Sequence, residues 1–108
     1  MIEQLSVEDL RSWLVDPTRP GPFLLDVREP WEYELCHLQN AHLLPLDRLS
    51  EGWETLDGSL DVVCICHHGI RSRSAAAFLA QQGLTRVYNL SGGMDAWARR
   101  IDPSMSVY

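Results

Sequence analysis

Apolar positions fall into short runs separated by loop-forming residues, and one run is denser than the rest. Val62-Val63-Cys64-Ile65 is continuous, apolar and β-branched, which predicts a buried strand. Cys66 follows, then a short loop, His67-His68-Gly69-Ile70-Arg71. Residues 72–82 are good helix formers, and Gly83 stands where a helix C′ residue sits. The order is strand, cysteine, loop, helix.

The same patterning predicts the other elements. Residues 2–5 read as a short first strand. Ser6 is a helix N-cap with Asp9 three residues on, and Leu10, Trp13 and Leu14 recur at helical spacing over 7–15. Asp16-Pro17 ends that helix, and a loop follows over 18–22. Residues 23–27 are a short apolar strand, and Pro30 opens a short helix over 30–35. Residues 41–44 are a strand closed by Pro45, and 46–53 a helical turn or two with Leu46, Leu49 and Trp53 inward. Residues 86–90 are a further strand, Ser91-Gly92-Gly93 a turn, and 94–100 a helix with Met94, Trp97 and Ala98 inward. Residues 101–108 are a tail.

Strands alternating with helices predict an α/β domain: a mostly parallel sheet of four or five strands with helices on both faces. The length, 108 residues, suits a single domain with a real core. A net charge of −6 argues against a general nucleic-acid or acidic-membrane binder. Any anion site must therefore be local, and Arg71, Arg73, His67 and His68 could supply its field. No apolar run approaches the roughly 20 residues of a membrane span, and no signal peptide is visible. The three cysteines, irregularly spaced, are not a disulfide framework; a reducing cytoplasm is expected.

The densest stretch also carries the candidate chemistry. The first turn of a helix has unpartnered N–H groups and the positive end of the dipole. A thiol held there is favoured as thiolate, with its pKa moved from about 8.5 into a range of roughly 3.5 to 7.5. Cys66 is the expected nucleophile, and Arg71 adds a fixed positive charge. Asp26 and Arg28 lie at a strand's carboxyl end, where ligands bind in open α/β sheets. As a charged pair they read first as a structural brace.

Cys66-His67-His68-Gly69-Ile70-Arg71-Ser72 resembles the active-site loop of rhodanese-like sulfurtransferases. Asp26-Val27-Arg28-Glu29 with Trp31-Glu32-Tyr33, the Ala41-to-Pro45 strand, and Leu90-Ser91-Gly92-Gly93-Met94-Asp95-Ala96-Trp97 are similar to that family's other motifs, in order and at its spacing. The resemblance implies a three-layer sandwich of five strands with the active loop at the carboxyl edge of a central one. It implies sulfur transfer from a donor such as thiosulfate to cyanide or a thiol, through a persulfide on Cys66. The N–H groups of residues 67–71 would hold the persulfide, and His67, His68, Gly69, Ile70 and Arg71 would meet the donor. Asp26, Arg28 and Ser72 would support the site. No cofactor or metal is implied; a protein sulfur acceptor is a plausible partner. The chain departs from the family at Cys36 and Asn40, where glycine is usual. Asn40 is a mild change, since asparagine tolerates positive φ; Cys36 bears on the local turn geometry.

Other readings stand beside this one. Phosphatases and arsenate reductases also set a cysteine at a strand end below a nest of N–H groups and an arginine. They place one residue more between cysteine and arginine than the four found here, and the tighter loop suits a single sulfur. Cys64, Cys66, His67 and His68 could ligate a metal, but no second cluster closes a tetrahedron, and Cys64 reads as core. Cys36 reads as a small space-filling residue rather than a second reactive thiol. A non-catalytic binding module is the remaining alternative, with Cys66 present in an intact loop counting against it. Trp31 and Trp53 could line a pocket rim.

Overall fold

The computed structural model describes residues 2–108. Five strands, β1 (Ile2–Leu5), β2 (Phe23–Asp26), β3 (His42–Leu43), β4 (Val62–Ile65) and β5 (Val87–Leu90), form one sheet in the order β1-β5-β4-β2-β3. Every pairing is parallel. The sheet is thus wholly parallel, as expected where each strand returns through a helical crossover. The helices are α1 (Val7–Val15), α2 (Pro30–Leu35), α3 (Leu49–Gly52, flanked by two 3₁₀ turns), α4 (Ile70–Gln81) and α5 (Gly93–Arg100).

Side chains alternate across a strand, and β4 shows the result. Val63 and Ile65 enter one core with Leu10 and Trp13 of α1 and Met94 and Trp97 of α5. Val62 and Cys64 enter the other with Ala75, Ala76 and Leu79 of α4 and Leu49 of α3. The alanines let α4 lie close on β4. The continuous apolar run at 62–65 is apolar because both faces of this central strand are covered.

Several boundaries shift by a residue or two from the sequence expectation, and three differences have a clear local reason. β3 keeps only two residues because its partner β2 ends at Asp26. α4 begins at Ile70 rather than residue 72, because Gly69 in the left-handed region (φ +97°) turns the chain directly into the helix. Residues 101–108 are not a loose tail: Ile101, Met105 and Tyr108 pack against the α1/α5 core. The two departures from family glycine are easily held. Asn40 takes the left-handed region (φ +67°), and Cys36 has extended backbone that any residue adopts.

The start of α5 fixes the loop that follows β4. The amides of Met94 and Asp95 donate to the carbonyls of Cys66 (2.9 Å) and His67 (3.0 Å). This close approach requires Gly93, at φ +57°: a Cβ there would fall on the Cys66 carbonyl oxygen and 2.6 Å from that of His67. Gly93→Ala is expected to lower stability by about 2–4 kcal/mol, read from urea unfolding, because positive φ and backbone collision add. A parent-like midpoint would show that the loop yields freely.

Candidate active site

Cys66 leaves the carboxyl end of β4, and its side chain turns back under the loop. The residue is 1% exposed. Its Sγ accepts the Gly69 amide at 3.1 Å and the Ser72 amide at 3.2 Å, and lies 3.2 Å from the Ser72 hydroxyl. Gly69 is the N-cap of α4 and offers no side-chain cap, so the cysteine sulfur takes that role toward the first turn. At the thiol sulfur itself the amide donors are those of Gly69 and Ser72.

Ser72 is held from behind. Its hydroxyl donates to Oδ1 of Asn89 at 2.5 Å, while Nδ2 of Asn89 donates to Gln4 (2.9 Å) and to the Gly69 carbonyl (3.1 Å). Those two acceptors orient the Asn89 amide so that its oxygen faces Ser72. Asn89 was not among the predicted residues; its signal was a polar residue within an apolar strand.

Arg71 is placed beside the loop but is not a free cation. Its Nη1 and Nη2 donate to Oε1 and Oε2 of Glu32 at 2.7 and 2.8 Å. Glu32 also accepts the Glu29 amide and the Tyr108 hydroxyl, both at 2.9 Å. The Arg71 guanidinium, with the smaller help of these donors, holds the Glu32 carboxyl down to about 2 against the opposing effect of burial. Arg28 is fully buried and meets the Asp26 carboxylate through Nε (2.8 Å) and Nη2 (2.7 Å). Burial opposes its charge, but the hydrogen bonds and charge of Asp26, with Tyr108, together outweigh this and raise its pKa. The Asp26–Arg28 pair thus lies beneath the loop as a brace, away from the sulfur.

The two loop histidines differ. His67 is sandwiched between the Tyr108 ring (3.9 Å, 8°) and His68 (3.9 Å, 31°), and its Nε2 is buried without a partner. Burial, then the neighbouring His68, lowers its pKa, so it is neutral near pH 7. His68 is mostly exposed, with Nε2 3.9 Å from Asp95. Ile70 is 76% exposed at the helix start. Of the four expected sources of local positive field, Arg71 is paired and His67 is neutral, while Arg73 is exposed and lines a shallow cleft with His68, Gly69 and Ile70. The fixed donors at the sulfur are backbone amides.

His67, His68 and Asp95 place ligand atoms within 4.8 Å of one another, close enough for one metal ion. The Asp95 carboxylate is already bound through both oxygens by Arg99. This grouping differs from the cysteine–histidine set weighed from sequence. Burial, followed by the nearby Cys66 charge, pushes the Cys64 thiol up to about 12, which makes it an inert core residue. Cys36 is buried against the tail, with Sγ 3.5 Å from the Ser106 carbonyl. Trp31 stands at the site edge against Tyr108, whereas Trp53 packs on Phe78 away from it. Glu32 and Tyr108 complete the surroundings. Glu32 lay within a quoted motif without being assigned a role. Tyr108 had no local signal, since its position depends on the path of residues 101–108.

The Glu32 shift has a definite sign. Its folded pKa of about 2 lies below the ordinary 4.5, so the stability it contributes is full above about pH 4.5 and lost as pH falls toward 2. Arg71 is partly exposed, so solvent screening holds the contribution to on the order of 2 kcal/mol. Urea unfolding from pH 5 to 2 is expected to show this loss in the parent and a flatter profile in Glu32→Gln. Parallel profiles would contradict it.

Residues 6–100 match the family described as Rhodanese-like domain. A protein named thiosulfate sulfurtransferase GlpE from Actinobacillus pleuropneumoniae is 36% identical over 88 residues, covering 82% of each chain. One of the same name from Vibrio cholerae is 37% identical over 76 residues, covering 70% of this chain and 72% of that one. Among solved structures, a rhodanese-related protein from Thermoplasma volcanium superimposes with a TM-score of 0.83 at 30% identity, covering 92% and 93% of the two chains. With its parallel sheet, its loop after β4 and these matches, the chain belongs to the rhodanese-like domain family.

Proposed function

We propose that this chain is a sulfurtransferase that carries sulfane sulfur as a persulfide on Cys66. The observation that supports this most directly is the sulfur itself, which sits under the loop with the Gly69 and Ser72 amides aimed at it. Such donors stabilise a negative sulfur before and after transfer. The relatives named as thiosulfate sulfurtransferases point to the same chemistry.

The reaction is two-step covalent catalysis. The Cys66 thiolate attacks the outer sulfur of thiosulfate; the S–S bond of the donor breaks and sulfite leaves with its electron pair. The product is Cys66–S–S⁻. Cyanide, or the thiolate of a small molecule or protein, then attacks the terminal sulfur and restores the Cys66 thiolate. No net oxidant or reductant is needed. Ile70, His68 and His67 line the approach, and Gly69 keeps the loop tight over the sulfur. Asp26, Arg28 and Ser72 hold the frame.

The three cysteines are free, which fits a reducing compartment such as the cytoplasm. No helix among the described residues is long and apolar enough to cross a membrane. The loop from Cys66 to Arg71 is one residue shorter than that of phosphatases built this way, which favours a single sulfur over a tetrahedral oxyanion.

Intact-mass spectrometry after incubation with thiosulfate and removal of excess donor tests the proposal. The parent is expected to gain one sulfur atom, reversed by cyanide, and Cys66→Ala to gain none. A folded parent with a free Cys66 thiol that gains no sulfur from any sulfane donor would support a binding module instead.

A further inference from the structure

The Glu32–Arg71 pair ties α2 to the first turn of α4 beside the sulfur loop, and Glu32 has no assigned role. The Glu32 side chain is 4% exposed, so its carboxylate is directed at Arg71 rather than at water. Each of its oxygens takes one Arg71 nitrogen. Oε1 also accepts the Glu29 amide and Oε2 the Tyr108 hydroxyl, so the carboxylate is fixed from both sides. Its backbone is fixed too, because Arg28 donates to the Glu32 carbonyl at 3.2 Å. Arg71 immediately precedes Ser72, whose amide bonds the sulfur, and its charge is coupled to that of Cys66. A guanidinium in a two-bond pair with a carboxylate projects far less net field than a free one.

We propose that Glu32 is a specificity-determining residue: by pairing with Arg71 it sets how strongly the Cys66 site draws an anionic sulfur donor over an uncharged one. This rests on the sulfur-transfer reading only in calling the incoming molecule a donor; the charge balance acts on any electrophile that approaches Cys66. Tyr108 and Arg28 are positioning residues, since they touch Glu32 and not the sulfur.

Alkylation isolates the charge effect from sulfur transfer. The rates of Cys66 modification by iodoacetate and by iodoacetamide, similar in size and different in charge, are measured with peptide mass mapping, so that Cys36 and Cys64 are followed separately. Glu32→Gln leaves Arg71 unneutralised and is expected to raise the iodoacetate-to-iodoacetamide ratio about threefold or more at low ionic strength. Added salt is expected to shrink that gain. Arg71→Gln leaves Glu32 unneutralised and is expected to lower the ratio. The double Glu32→Gln/Arg71→Gln variant restores the charge balance and is expected to return the ratio close to that of the parent. With thiosulfate, Glu32→Gln is expected to lower KM with kcat little changed.

A parent-like ratio in folded Glu32→Gln would overturn the proposal, and so would a double variant that keeps the raised ratio. If Glu32→Gln does not fold, an unchanged ratio in Arg71→Gln overturns it equally. A parent that takes no sulfur from thiosulfate would defeat the sulfur-transfer reading, while the alkylation ratios still decide the role of Glu32.

Discussion

A guanidinium taken fully out of water must have its donors satisfied, and the region around the loop is built on that requirement. Arg28 carries five N–H groups. Nε and one Nη2 hydrogen go to the two oxygens of Asp26; the others go to the Cys36 carbonyl, the Glu32 carbonyl and the Tyr108 hydroxyl. These acceptors come from the end of β2, from α2 and its C-cap, and from the segment after α5. One side chain thereby joins three parts of the chain that are distant in sequence. Removing either member of such a buried pair costs about 3–5 kcal/mol, because the other charge is left unpaired.

From this brace a chain of polar contacts runs to the sulfur loop. Tyr108 accepts from Arg28 and donates to Glu32, and Glu32 binds Arg71 in the first turn of α4. Tyr108 also lays its ring on His67. The consequence is a site whose arginines are nearly all matched: Asp26 with Arg28, Glu32 with Arg71, Asp95 with Arg99. The donors that face Cys66 Sγ are the backbone amides of Gly69 and Ser72, which do not titrate. In a chain of net charge −6 this keeps the anion site local and small.

Much of this was legible in the sequence, and the remainder was hidden for identifiable reasons. The strand at 62–65, the α1 cap at Ser6 and proline at the start of α2 are local signals, and local signals read well. The Ser6 hydroxyl indeed accepts the Asp9 amide at 3.0 Å. Cys66 was placed at a strand end above a helix start by pattern alone. The partner of Arg71 was not, because Glu32 lies 39 residues earlier and their meeting depends on β2 and β4 pairing in register. Tyr108 is harder still: 80 residues separate it from Arg28, and nothing in residues 101–108 has a periodic pattern. Gly69 as an N-cap moved the start of α4, since a glycine carries no side chain to announce a cap.

The loop's orientation follows from where its carbonyls go. A peptide unit points its C=O and its N–H in opposite directions, so anchoring one face of a turn aims the other. The Cys66 and His67 carbonyls are taken by the first amides of α5, and the Gly69 carbonyl by Asn89. With those oxygens drawn toward β5 and α5, the amides that share their peptide units, those of His67, His68 and Ile70, are turned the opposite way. Two helix starts thus act in opposite senses on one short segment. α5 gives its unpartnered N–H groups to the loop's oxygens, and α4 gives its own to Sγ. This division explains why the Gly92-Gly93-Met94-Asp95 turn, which never touches the sulfur, belongs to the same apparatus as Cys66. Its glycine lets the second helix approach closely enough to hold the loop's oxygens on its own side.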